Sequence, residues 1–357
     1  MLQGKTLTEL AAELERQNES KHDYTARSGA VSMVLDEIVE ETQRQAKMEL
    51  PGQGRFDINR VAHSQLAAYT RIPKEYYDRM PPSLLAINVN HWLQDKDEPR
   101  MIRTMDGNVR AWLSDRYRPL DNYDLAVAVI PTLRKAGAEI NSSEVTDSRL
   151  YIKATSPKIT ATVKQGDVVQ AGVLISNSEV GMGALQVAPF SLRLVCVNGM
   201  THTDYGRRKA HLGRQQLGDS ELPEEWMRDD TRLASDAAFF GQVRDLVNGW
   251  FDGRRFEEVV VEKMRESTER KIEADLIKVV EVTQKRYGFT EQERSGVLTA
   301  LVEGGDATQW GLANAITRMS ANLTDYDRAT EVESIGGQVV ELGQHKWEEI
   351  LNAASIN

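Results

Sequence analysis

The 357-residue chain carries 44 Lys+Arg against 54 Asp+Glu, one cysteine, 40% hydrophobic and 27% charged residues. That is near average globular usage, which excludes a disordered, collagenous or disulfide-stapled protein. A single cysteine, Cys196, allows no intrachain disulfide and no thiolate zinc cluster. No apolar run approaches the roughly 18 to 20 residues that cross a bilayer. The first residues show no apolar signal-peptide core, so a soluble cytoplasmic protein with no membrane partner is expected, long enough for two domains. The net charge of −10 divides unevenly: −4 over residues 1–99, +6 over 100–218 and −12 over 219–357. A basic middle between acidic flanks suggests a surface for a polyanion, although such a charge is also common in domains that bind none.

In chain order, Leu7, Leu10, Ala11 and Leu14 predict a short amphipathic helix over 5–17, with Thr6 or Thr8 as its cap. Residues 31–35 read as a strand and 38–48 as a polar helix, before Pro51-Gly52-Gln53-Gly54 breaks the chain. Asn59 caps a helix to about 70, and Ile72-Pro73 leads into another over 74–79. That pair looks superficially like a helix-turn-helix, but the second helix offers little to phosphate, so packing on a larger core is the better reading. Strands over 101–104 and 109–113 flank Asp106-Gly107, a two-residue hairpin signal. Asp121 or Asn122 then caps a helix to about 136. Strands follow at 138–145, 149–155, 159–163, 168–176, 185–187 and 191–197. The stretch 234–286 is helical, Gly288 ends it, and Thr290 with Glu293 forms a capping box for the next helix. A final amphipathic helix holds Trp310, Leu312, Ala315, Ile316 and Met319. The expected class is α+β, a largely antiparallel central sheet flanked by helices with a helical C-terminal third. The expected parts are a mostly helical 1–99, a basic sheet domain over 100–218 and an acidic helical 219–357.

Three segments carry candidate chemistry. In the first, Arg110, Trp112, Arg116, Tyr117 and Arg118 are residue types that clamp phosphates and stack on bases, leaving a strand and entering a helix. The structural alternative pairs the arginines with Asp115 and Asp121. The second is the loop Ser178, Glu179, Gly181 and Gly183, where the glycines allow close backbone approach. It fits neither a dinucleotide fingerprint nor a P-loop, so no cofactor is expected. The third joins Arg193, Asn198 and Gly199 to the basic cluster Arg207, Arg208, Lys209, His211 and Arg214. Cys196 reads as a small buried hydrophobe in a strand rather than a nucleophile. His202, Asp204 and His211 are too few and too mixed for a metal site. No Ser-His-Asp arrangement is recognisable, and no catalytic residue is assigned. Glu179 and Arg193 are expected to pair and hold the glycine loop shut.

Ile72-Pro73-Lys74-Glu75-Tyr76, the run Arg110 to Arg118, Ser178 to Gly181, Arg193 to Gly199, and Trp310 with Asn314-Ala315-Ile316-Thr317 together resemble the phage/plasmid-like proteins built on domain of unknown function 932. The resemblance spans roughly 55 to 340. It implies a setting on phages, prophages and plasmids, where recombination, single-strand binding and counter-defence are frequent, and it supplies no reaction. The function expected from residues and resemblance together is binding of nucleic acid, single-stranded DNA first, by a homo-oligomer, with annealing resting on the resemblance alone. The oligomer is expected because 234–286 carries more apolar positions than one sheet edge needs. The alternatives are a structural or counter-defence protein acting through protein contacts, and an enzyme built around Arg116, Glu179 and Asn198.

Overall fold

The computed structural model describes residues 1–35, 45–117, 120–202, 207–209 and 229–356. The chain begins with α1 (Leu7–Ser20), β1 (His22–Arg27), β2 (Ser32–Leu35), β3 (Ala46–Leu50), β4 (Gly54–Ile58), α2 (Arg60–Thr70), α3 (Lys74–Arg79), α4 (Pro82–Lys96), β5 (Pro99–Met105) and β6 (Asn108–Ser114). Thr6 caps α1 through a capping box with Glu9, and Asn59 caps α2. Residues 46–48, expected at the end of a polar helix, open β3 instead. Met48 and Leu50 point into the core two residues apart, and the Pro51–Gly54 turn returns the chain antiparallel. Residues 38–44 of that expectation lie outside the described residues.

The first sheet has the order β1-β5-β6-β4-β3-β2, antiparallel except for β4 on β6. Its two edge strands are joined by only four residues, 28–31. Six flat strands would hold those edges about 24 Å apart, whereas five peptide steps span at most about 18 Å. The sheet therefore curls, and α4 packs on its concave core through Leu85, Ala86, Val89 and Leu93. Asn90 completes the β2 edge: its Oδ1 accepts from Met33 N at 2.7 Å and its Nδ2 donates to Met33 O at 2.9 Å, as a neighbouring strand would. Asp106 and Gly107, at φ 51° and 74°, make the expected two-residue turn between β5 and β6.

The second sheet follows: α5 (Asn122–Lys135), β7 (Glu139–Val145), β8 (Leu150–Lys164), β9 (Asp167–Asn177), β10 (Leu185–Arg193), β11 (Asn198–Thr201) and β12 (Arg207–Lys209). Its order is β11-β10-β9-β8-β7, all antiparallel, and β12 pairs with the start of β10 on the side that β11 occupies further along. The expected strands 149–155 and 159–163 are one strand, β8, with a register shift between them. The expected strand 191–197 ends at Arg193. Residues 194–197 turn, with Val197 at φ 52°, leaving Leu194, Val195 and Val197 exposed and Cys196 half-buried rather than buried.

The remainder is helical: α6 (Asp229–Trp250), α7 (Gly253–Phe256), a π-turn over Glu257–Val261, α8 (Glu262–Glu269), α9 (Leu276–Tyr287), α10 (Glu291–Gly304), α11 (Gln309–Met319), α12 (Tyr326–Glu341) and α13 (Gln344–Ile356). Ile152, Ile175 and Val187 align across one face of the second sheet and pack with α1, α5 and α6. Further along the same face, Val169 and Ala171 of β9, with Met200 of β11, pack with the helices from α7 onward, and the opposite face presents Tyr151, Leu174, Phe190 and Leu192 to Tyr326 of α12. The class is α+β, with a helical C-terminal third. Among the described residues no helix is long and apolar enough to cross a membrane.

Candidate functional site

The first two sequence segments meet around the β9–β10 connection, where β12 also pairs, while Arg193, Asn198 and Gly199 lie at the far end of β10. Arg103, fully buried on β5, grips Asp23 of β1 with two hydrogen bonds of 2.7 Å and donates to Asp121 Oδ1 at 2.8 Å. Lys21 Nζ lies 2.6 Å from the other Asp121 oxygen. Arg110, on β6, donates to Glu179 Oε1 at 2.6 Å, and Glu179 Oε2 accepts from Asn122 N at 2.9 Å. The cap of α5 is thus Glu179, 57 residues away, and the side chain of Asp121 makes no capping bond because it serves Arg103 and Lys21. Burial alone would lower the Arg103 guanidinium, but Asp23, Asp121 and Glu179 hold it above its usual value. Burial would raise Asp121, yet Arg103 and Lys21 hold it below the usual carboxylate range.

The same contacts fix the glycine loop. The Tyr117 hydroxyl donates to Ser178 O and accepts from Gly181 N, both at 3.0 Å, and burial pushes that phenol up to about 12. Gln65 Nε2 donates to Val180 O at 2.7 Å, and Arg149 Nη2 to Met182 O at 2.6 Å. Gly181 sits at φ 76°, and a side chain at Gly183 would run into the Arg149 guanidinium. Ser178 and Glu179 are buried, whereas Gly181 and Met182 face solvent.

Several expectations are corrected here. Arg110 and Trp112, read as phosphate and base contacts, are each 3% exposed: their strand turns them inward, Arg110 onto Glu179 and Trp112 into the first sheet's core. Glu179 and Arg193 do not pair. Arg193 instead binds Asp167 through Nε at 2.6 Å and Nη2 at 2.7 Å, and Trp310 Nε1 donates to the same carboxylate at 2.9 Å. Asn198 and Gly199 are buried, Asn198 with its amide 3.4 Å from Asn314 O. Arg116 is exposed and Tyr117 half-buried. The backbone of Arg207, Arg208 and Lys209 forms β12, opposite Val187, Gln186 and Leu185. Arg118, Asp204, His211 and Arg214 lie outside the described residues. Within them, no group of three His, Cys, Asp or Glu could hold a metal ion. His202 is buried, with Nε2 3.0 Å from Ser191 Oγ and Nδ1 3.5 Å from Glu341. Sequence reasoning missed Lys21, Asp23, Gln65, Arg103 and Arg149. A buried arginine in an alternating strand was the available signal for Arg103, since such a charge requires partners.

Together the fold and this clamped loop define an α+β protein in which a buried ionic network holds a glycine turn at the end of an antiparallel sheet. The model of the family described as a domain of unknown function, DUF932, matches residues 111–333, more than half of the chain. The chain belongs to that family. No curated protein and no solved structure matches it.

Proposed function

We propose that this protein binds nucleic acid, single-stranded DNA in preference, in the cytoplasm of a bacterial host, as a mobile-element component that works as a homo-oligomer. The observation that carries this reading is the pairing of β12 with the first three residues of β10. It sets the Arg207-Arg208-Lys209 backbone beside the exposed glycine loop, at the sheet end where Arg116, Tyr117 and Arg149 also gather. A basic edge next to an aromatic ring suits backbone neutralisation with sequence-tolerant stacking. Strand annealing is an extension of this reading.

The test is fluorescence anisotropy with labelled single- and double-stranded DNA and RNA across a salt series. Log affinity should fall linearly with log salt, by about 0.7 per phosphate contact on a single strand. Replacing Arg207, Arg208 and Lys209 by alanine should weaken binding and flatten that slope. Absence of binding by all four classes at about 50 mM salt would overturn the reading.

A second reading, action through protein contacts, is favoured by the exposed apolar residues of α3 and α4: Tyr76, Leu84, Ile87 and Trp92, with Ile87 68% exposed.

A further inference from the structure

The Glu179 carboxylate lies in a cradle built for an anion. Arg110 donates to one oxygen at 2.6 Å, the first N–H of α5 donates to the other at 2.9 Å, and the Arg103 guanidinium stands 3.8 Å away. The 14-residue α5 adds the positive end of its dipole. Two more donors belong to the same groups: Arg110 Nε and Asn122 Nδ2, on residues 3% and 1% exposed, find no partner among the described residues. Two unengaged buried N–H groups thus sit on the very residues that hold the carboxylate, and unpaired buried donors are costly. A tetrahedral phosphate presents acceptors in more directions. As a diester it carries the same single charge, so the balance of Lys21, Arg103 and Arg110 against Asp23, Asp121 and one further anion is kept on exchange.

We propose that this cradle is a phosphate-binding site which Glu179 fills as an internal substitute, and that the 178–183 loop is a latch displaced when a phosphate group enters. The inference rests on the nucleic-acid reading for the source of the phosphate, because the latch opens onto the edge that β12 lines. Gly181 and Met182 form its outer, exposed surface. Besides the Glu179 carboxylate, its hold on the body comes from the bonds of Tyr117, Gln65 and Arg149, from Arg103 Nη1 donating to Glu179 O at 3.1 Å, and from the burial of Ser178 and Val180.

The experiment compares the full-length protein with Glu179→Gln, and with Glu179→Gln combined with Arg110→Gln. Melting temperatures are followed in inorganic phosphate against chloride at matched ionic strength, alongside oligonucleotide affinity. Phosphate should stabilise Glu179→Gln saturably and the parent much less, and the added Arg110 change should abolish the effect. Oligonucleotide affinity should rise about tenfold in Glu179→Gln, the order expected when one charge-assisted pair no longer competes. If Glu179→Gln does not fold, Glu179→Asp, which keeps the charge and withdraws it by one methylene, takes its place with the same readouts. A variant that gains nothing from phosphate overturns the latch; if oligonucleotides still bind it as they bind the parent, the edge reading survives alone. Phosphate stabilisation without oligonucleotide binding by any form would keep the cradle as a site for free phosphate and discard the nucleic acid as its source.

Discussion

Asp167, 2% exposed at the start of β9, receives three hydrogen bonds: two from Arg193 and one from Trp310 of α11. It ties the sheet to the C-terminal helices through one carboxylate. Arg193→Ala should lower stability by about 3 to 5 kcal/mol, because a buried charge loses its counter-ion. Trp310→Phe removes one donor from the same group, and its polar loss should be about 1 to 3 kcal/mol. Urea midpoints of the two variants check the order, and equal values would contradict it. Asp121 gives a pH-dependent case. Its pKa in the folded chain is depressed below the ordinary 3.8, so its contribution is fully present above that value and is lost as pH falls through the lower folded one. Melting temperature should therefore drop below about pH 4, and Asp121→Asn should flatten that drop while costing stability at neutral pH. The residue types at these sites were legible in the sequence, but their partners were not. Glu179 and Arg193 are only 14 apart, yet each binds a residue that strand register or a distant hairpin brings to it.

Between elements, the Lys153–Glu333 pair joins β8 to α12 with both side chains 0% exposed and 2.6 Å between charges. Lys153 opposes Leu174 on the face turned toward Tyr326, whose ring centroid is 4.6 Å from its ammonium. Removing one partner alone, as in Lys153→Met, should cost about 3 to 5 kcal/mol. The double change Lys153→Met with Glu333→Leu should recover most of that, since hydrophobic replacement of both charges avoids their desolvation. A double-mutant cycle by chemical denaturation measures the difference, and additivity would show that the two do not act as a pair. The strands of the second sheet were readable as short apolar and β-branched runs, and the capping box of Thr290 with Glu293 stands in the sequence. The helix α12 was not foreseen. Its Gly336-Gly337 pair looks like a break, but α12 passes so close to β11 and α11 that a side chain at Gly337 would overlap the Thr201 carbonyl and one at Gly336 the Thr317 methyl. Tertiary approach sets those two residues, and local propensity does not report it.

At the level of the whole molecule, the α+β class was legible because several short strands surround one helix between two helical stretches. Their division into two sheets was not, since β5 and β6 join β1 through pairings such as His22 with Thr104, far apart in sequence. The surplus of apolar positions in 234–286 was expected to supply an interface between copies. Val243, Val247, Trp250, Val260, Val261, Met264, Val279 and Val280 are instead buried within the chain, so these positions are consumed by its own fold, while Ile277 stays 52% exposed. A group of exposed apolar residues lies on α3 and α4, where Tyr76, Leu84, Ile87 and Trp92 are 53%, 40%, 68% and 37% exposed. Removing such surface from water is worth about 25 cal/mol per Å², so these residues are the ones on which the proposed self-association can draw. If the proposed homo-oligomer forms through them, light scattering at tens of micromolar should give more than the monomer mass. Ile87→Glu should shift the population toward monomer without lowering the melting temperature of the isolated chain, because Ile87 makes no part of the core. A parent protein that stays monomeric would leave this face to another partner, and an oligomer that Ile87→Glu leaves intact would place the interface off α4.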